Sequence, residues 1–294
     1  MSGHYRCLSG PRFDDAAALG YLGPERSCVV LTAPGLPGGP PVRLGVRLVV
    51  DTLLTGLWRS PTGSVWVTDR DGWVRWSDDP WPDDARWAQQ CLDLAFRGIV
   101  GGEVVTEGAV GEQVWAWGAR PSDGASLVRR YAAEAWRPVT APGFAVNAVA
   151  IGGAGVWLAG ADGWLARYDT DRWTLISIGR EVPLTALWVG DDTVLAGGAD
   201  GNIYEGGVHG FTPVAGVPAP IQAVARWGGR LWAGAGAAGL FAGVRGPLAQ
   251  VRADRAARSL EAHEQLVIGC DEVLCSTPDG LRFPATGRGF LTAG

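Results

Sequence analysis

The densest concentration of chemically useful side chains runs Gly72-Trp-Val-Arg-Trp-Ser-Asp-Asp-Pro-Trp-Pro-Asp-Asp-Ala-Arg-Trp87. Four tryptophans and two Asp pairs fall within it. Indole faces offer platforms for sugar rings, and nearby carboxylates bind hydroxyls. Exposed tryptophan is also enriched at the energetic centres of protein interfaces. Trp81, held between two prolines, is expected to be the exposed one. Strand alternation is expected to bury one of Trp73 and Trp76 and expose the other. The candidate contact residues are therefore Trp76, Asp78, Asp79, Trp81, Asp83 and Asp84. The plainer role for the same residues is indoles filling gaps and acids solvating a loop.

A second candidate set is Arg129, Arg130 and Tyr131. It lies where the chain breaks its rhythm, with an insert read over Cys91 to Gln113 and a long loop over Ala119 to Ala135. Insertions in repeat proteins map to loops, often on the binding face. The third set is Asp71, Asp123, Asp162, Asp200 and Asp279, each followed by glycine. Gathered on one face, they would bind a cation or a basic partner. Equally, Asp is an ordinary residue before Gly in a tight turn.

Catalytic patterns are poor. His4, His209 and His263 are far apart, with no i,i+4 partner for a metal. No H-E-x-x-H, G-x-S-x-G or Walker loop occurs. The Gly-rich stretch Ala233-Gly-Ala-Gly-Ala-Ala-Gly239 precedes no helical pattern. No catalytic residue, metal set or cofactor is assigned. Carboxylates are plentiful, however, and glycosidase chemistry needs only two of them about 5–10 Å apart.

Those residues sit on a chain of 294 with 25 arginines, no lysine and 30 acids, for a formal charge of −5. The missing lysine, two Asn and seven Ile fit the codon usage of a GC-rich genome. The 47% apolar fraction excludes disorder. The acidic balance, with no long basic run, argues against nucleic acid. Nothing approaches the roughly 18–20 apolar residues of a membrane span. The N-terminus lacks the apolar core of a signal peptide. Cys7, Cys28, Cys91, Cys270 and Cys275 are odd in number and scattered, so reduced thiols and a cytoplasmic location are expected. Cys270 and Cys275 could meet across a hairpin.

The elements that must position these residues come from a repeat. Val156-Trp-Leu-Ala-Gly-Ala-Asp-Gly163 recurs as Val65-Trp-Val-Thr-Asp-Arg-Asp-Gly72, Val194-Leu-Ala-Gly-Gly-Ala-Asp-Gly201 and Val273-Leu-Cys-Ser-Thr-Pro-Asp-Gly280. Stretched copies begin at Val114 and Leu231, and a weak one spans Cys28 to Gly35. The turn glycines at 35, 72, 124, 163, 201, 239 and 280 are 37, 52, 39, 38, 38 and 41 residues apart. A short apolar run precedes each copy, as in Asn147-Ala-Val-Ala-Ile151, and an alternating run follows, as in Trp164-Leu-Ala-Arg-Tyr168. A fourth run opens on Trp87, Trp136, Trp173, Phe211, Leu248 or Phe290. Asp-Gly between the second and third runs suits a two-residue type I′ hairpin.

Four antiparallel strands in about 40 residues, repeated about seven times, indicate an all-β β-propeller, because one such sheet cannot bury both faces alone. Seven blades are expected, with six as the alternative. Their bounds are 16–50, 51–90, 91–143, 144–181, 182–218, 219–257 and 258–294 within one domain, 1–294. One terminus is expected to pair into the other's blade, through Tyr5-Arg-Cys-Leu8 or Gly289-Phe-Leu-Thr292.

Val156-Trp157, Gly160, Gly163, Leu165, Tyr168 and Trp173 resemble a family of bacterial propeller repeats, similar to the photosystem-assembly-factor and sialidase-type propellers. The Ser and Gly of the sialidase Asp-box are missing from Tyr168-Asp-Thr-Asp-Arg-Trp173. The Gly-His and Trp-Asp pairs of WD repeats are missing too. The resemblance implies a rigid disc with variable rims. A non-catalytic scaffold binding another protein, as a subunit of a larger bacterial assembly, ranks first. A glycan-binding propeller ranks second, and a propeller hydrolase or lactonase with a channel metal third.

Overall fold

The computed structural model describes residues 4–35, 42–82, 84–106, 109–169, 171–288 and 290. Seven antiparallel sheets follow one another along the chain, spanning 4–50, 54–91, 95–139, 146–177, 184–216, 223–252 and 257–286. Each carries four strands in chain order. The fifth gains a short parallel strand, Gly246–Pro247, lent by the sixth. The first strands are His4–Arg12, Leu54–Arg59, Ala95–Thr106, Val146–Gly152, Leu184–Val189, Ala223–Trp227 and Ala257–Ala262. Each contacts the next around a circle, and the last contacts the first. They are the innermost strands of a seven-bladed propeller. Among the described residues the one helical turn is Ala161–Gly163. No helix is long and apolar enough to cross a membrane among the described residues.

The recurring Trp of the second strand explains how blades stick together. Trp66 stacks on Trp76 of its own blade and meets Tyr131 and Trp136 of the next, at 4.9 and 6.2 Å between ring centres. Trp115 meets Tyr168 and Trp173 of the following blade in the same way, at 4.9 and 6.2 Å. Trp157 meets Phe211, and Trp232 meets Phe283. Where the second strand carries Leu195 instead, Phe241 and Leu248 fill the wedge. The Val-Trp and Tyr…Trp signals of the repeat are thus two halves of one interblade contact. Tilted and edge-on ring pairs of this kind add about 0.5–1.5 kcal/mol beyond their burial.

The turns differ from the expected type I′ form. Gly72, Gly124, Gly163, Gly201, Gly239 and Gly280 all have positive φ. Among the turn aspartates only Asp162 does, at 56°. At Gly198–Gly201 the Gly201 N–H donates to the Gly198 carbonyl (3.1 Å), and Gly201 itself has φ 81°. That is a type I turn closed by a left-handed glycine, a three-residue hairpin loop.

At both ends the repeat sits one strand away from the register its pattern implies. In the last blade Leu266–Cys270 and Leu274–Thr277 are the second and third strands. Asp279-Gly280 therefore lies between third and fourth strands, and Phe283, not Phe290, fills the wedge on Trp232. In the first blade Arg26–Pro34 is a third strand, so Gly35 is likewise on the opposite side of the disc. That blade begins at His4 rather than 16.

The residues read as an insert and a long loop are strands of the third blade: Ala95–Thr106, Ala109–Ala119 and Ser126–Ala132. Ring closure uses no terminal strand exchange among the described residues. The Tyr5 N–H donates to the Asp271 carbonyl at 2.8 Å, and the Tyr5 hydroxyl to the Gly287 carbonyl at 3.2 Å. Tyr5, Leu8, Val267 and Leu274 share one apolar cluster, joined by Phe290. Gly289 and 291–294 lie outside the described residues.

Candidate functional site

The two faces of the disc are built from different turns. One carries the turns between second and third strands, the other those between first and second and between third and fourth. Asp71, Asp123, Asp162 and Asp200 share the first face, and Asp279 sits on the other. Most are occupied within their own turns. Asp200 accepts the Tyr204 hydroxyl at 2.7 Å and the Asn202 amide. Burial opposes ionisation of Asp200, but the bonds from Asn202 and Tyr204 win and lower its pKa. Asp123 accepts the Ala125 N–H and the Arg120 guanidinium. Asp279 accepts the Leu281 and Arg282 N–H groups. Asp71 accepts the Thr52 hydroxyl at 2.5 Å. Among the described residues no group of three or more His, Cys, Asp or Glu is placed to hold a metal.

The tryptophan-rich stretch is less open than its sequence suggests. Trp81 is half-buried against the cluster between the first two blades, beside Leu48 and Val50, with the Arg47 guanidinium 5.7 Å from its ring. Apolar residues of the preceding blade, out of view in a local reading, cover it. Trp73 and Trp76 are both half-buried, and the fully buried neighbour is Val74. Trp76 is held by Trp66, whereas Trp73 and Trp87 line an outer recess of about 410 Å³ with Arg75, Asp71 and Gln89. The tryptophan that stands exposed, at 38%, is Trp164. Asp78, Asp79 and Asp84 are exposed. Asp83 lies outside the described residues. Arg129, Arg130 and Tyr131 are separated by strand alternation. Tyr131 joins the Trp66 cluster, and Arg130 turns to the other side, over Trp115 and Tyr168.

What brings residues of all seven blades together is the axis. On the face with the first-to-second turns the channel opens into a recess of about 520 Å³. Its walls are mainly apolar: Trp58, Val149, Ile151, Leu187, Trp188 and Leu260. Its titratable groups are Arg59, Glu261 and His263. Arg59 is paired with Asp15. His263 Nε2 lies 3.6 Å from Glu261 Oε2, and this neighbour raises the imidazole pKa against the opposing pull of burial. Ser9 Oγ accepts the Arg59 N–H at 3.0 Å.

Beside this mouth the first hairpin of the third blade is the longest in the protein, with strands of 12 and 11 residues. Its base is glycine because space demands it. A Cβ on Gly101 would lie 2.5 Å from the Trp58 ring, and one on Gly102 2.8 Å from Ile151. Glu103 and Glu112 face each other directly across it. Burial, then Glu103 and Asp78, raise the Glu112 pKa. Against the hairpin and the fourth blade is a second cleft of about 560 Å³, lined by Arg130, Arg167, Tyr168 and Asp171. The Nε atoms of Arg130 and Arg167 are buried there without a hydrogen-bond partner. Burial and Asp171 push the Tyr168 hydroxyl up to about 12.

Of the sequence candidates, only Arg130 lines either cleft. The mouth was missed because each blade gives it one to four residues without a motif. The 52-residue gap between turn glycines was the signal of the long hairpin.

No family model matches the chain, and no curated protein sequence does. Solved structures do. The WD40 propeller domain of Doa1 superposes with a TM-score of 0.67 at 11% identity, covering 91% of this chain and 89% of that one. Saccharomyces cerevisiae Sqt1 gives 0.64 at 10%, covering 98% and 86%. YCF48 bound to D1 peptide gives 0.64 at 13%, covering 94% and 93%. Such identities carry the fold alone. Strand order, ring contacts and these likenesses agree that the chain is a seven-bladed β-propeller.

Proposed function

We propose that this protein is a non-catalytic scaffold that binds another protein on the face holding the axial mouth and the long hairpin. The observation that carries this is the mouth itself, an apolar recess whose charged groups are already committed. Arg59 is held by Asp15, and His263 faces Glu261. Ser9 Oγ is engaged by a backbone amide. Such a surface offers burial area rather than an activated nucleophile. The described structure of YCF48 with a D1 peptide supports the idea that a propeller of this shape can take a peptide. The glycan reading loses its platform, since Trp81 packs under Arg47.

The test is purification of the tagged full chain from its native host, followed by size-exclusion chromatography and cross-linking. A partner co-eluting at fixed stoichiometry, cross-linked to residues around the mouth, is expected. A chain that elutes alone, or that turns over a panel of glycoside and lactone substrates, overturns the reading.

A further inference from the structure

We propose that the cleft between the long hairpin and the fourth blade takes a mixed-charge segment of the partner, seating one side-chain carboxylate on Arg167 with a basic residue beside it at Glu103. This rests on the scaffold reading and names the chemistry of a contact next to the axial mouth. The cleft, about 560 Å³, opens on the same face as the mouth. The first-to-second turn at 152–155 and the third-to-fourth turn at Asp171 both line it. It has room for a few side chains and not for a folded domain.

Arg130 and Arg167 occupy the same position in neighbouring blades, opposite the second-strand Trp115 and Trp157. Both line the cleft, and the Nε of each is buried with no acceptor. Arg130 is otherwise engaged: its guanidinium lies over the Trp115 and Tyr168 rings and 3.7 Å from Asp171. Arg59, Arg226 and Arg255 also bury an unbonded Nε, and each holds an acid through its terminal nitrogens. Arg167 differs. Among the described residues it has neither a hydrogen bond nor an ion pair. Buried polar groups in folded proteins are nearly always satisfied. A carboxylate is the acceptor whose two oxygens match the guanidinium fork.

The acids of the cleft fix the rest of the occupant. Asp171 is taken up by the Tyr168 hydroxyl and by Arg130. Asp169 and Glu103 are exposed at the rim. Glu103 has no ion pair among the described residues and stands directly opposite Glu112 across the hairpin. A phosphate dianion would set two negative charges against these three acids. A single carboxylate flanked by Lys or Arg meets Arg167 and brings Glu103 a counter-charge. Val104, Ala132 and Val156 give the cleft an apolar wall, where a charge pair is screened less than in open water.

The experiment selects peptides from a displayed random library on the full chain and measures them by fluorescence anisotropy, synthesised with amidated C-termini. The expected consensus pairs Asp or Glu with a nearby Lys or Arg. Affinity is expected to fall about tenfold or more in Arg167→Leu, the loss of one charge-assisted bond, and to return in part in Arg167→Lys. It should fall by a smaller factor in Glu103→Gln. Replacing the peptide's acid by its amide should weaken binding to the parent chain and leave binding to Arg167→Leu unchanged. Arg167 holds no partner in the free protein, so Arg167→Leu should melt no lower than the parent, and lost binding there is not lost fold. Peptides that bind Arg167→Leu as tightly as the parent overturn the proposal. So do peptides that bind only with a free C-terminus, tighter binding when phosphoserine replaces the acid, and an empty selection. These results leave the scaffold reading standing, which fails when no partner co-elutes from the host.

Discussion

Asp69 carries more of the second blade than the turn aspartate two positions on. Its carboxylate is wholly buried, accepts the N–H groups of Asp71 and Trp73 at 2.9 Å, and holds Arg75 at 2.6 Å. Removing one partner of a buried pair strands the other, so Asp69→Ala should cost about 3 kcal/mol or more in urea denaturation. Asp71 is half-exposed and bonded to Thr52, and Asp71→Ala should cost under about 1 kcal/mol. The repeat hinted at this difference: copies with Gly160 and Gly198 leave the position of Asp69 without a side chain. Its partners become visible only once the strands pair.

His263 gives the pH signature. Its pKa is raised in the fold by Glu261. The pair therefore stabilises the fold fully below the ordinary imidazole value, and that contribution is lost as pH rises through the raised value. An NMR titration should place His263 above an unperturbed histidine, and Glu261→Gln should bring it down.

At the scale of elements, the long hairpin and the turn glycines make separate predictions. Neutralising one half of the opposed pair, Glu112→Gln, should raise stability by about 0.2–1 kcal/mol. Gly201 and Gly124 both hold left-handed backbone, but their surroundings differ. A Cβ on Gly201 would sit 2.2 Å from the Val217 carbonyl oxygen, whereas at Gly124 it meets nothing within 4 Å. Gly124→Ala should cost about 1–2 kcal/mol from backbone conformation alone. Gly201→Ala should cost clearly more, and thermal melts of the two variants compare them directly.

Element type was legible because interblade wedges force Trp and Tyr to recur at fixed spacing. Register at the two ends was not. Thr-Ala-Pro-Gly35 and Thr-Pro-Asp-Gly280 mimic the Asp-Gly turn, and a turn looks the same locally whichever strands it joins.

For the whole molecule, the ring is closed by packing of blade on blade, with no strand shared between the termini among the described residues. The Tyr5 ring and its two hydrogen bonds, to Asp271 and Gly287, sit on that seam. Tyr5→Phe should cost about 1 kcal/mol for its hydroxyl bond, and Tyr5→Ala about 3–5 kcal/mol. The seam should open first in native-state hydrogen exchange of Tyr5→Ala. The axial mouth also belongs to this scale. Ser9, Trp58, Gly101, Ile151, Trp188 and Glu261 are scattered across some 250 residues and become neighbours only when the circle closes. That is why no local pattern announced the site while the fold was plain.

The most direct test is amide hydrogen exchange on the full chain with and without its partner bound. Protection should appear along 95–106 and 109–119 and at the ends of the first strands around the axis. Protection confined to the turns of Asp71, Asp123, Asp162 and Asp200, on the opposite face, would contradict the account.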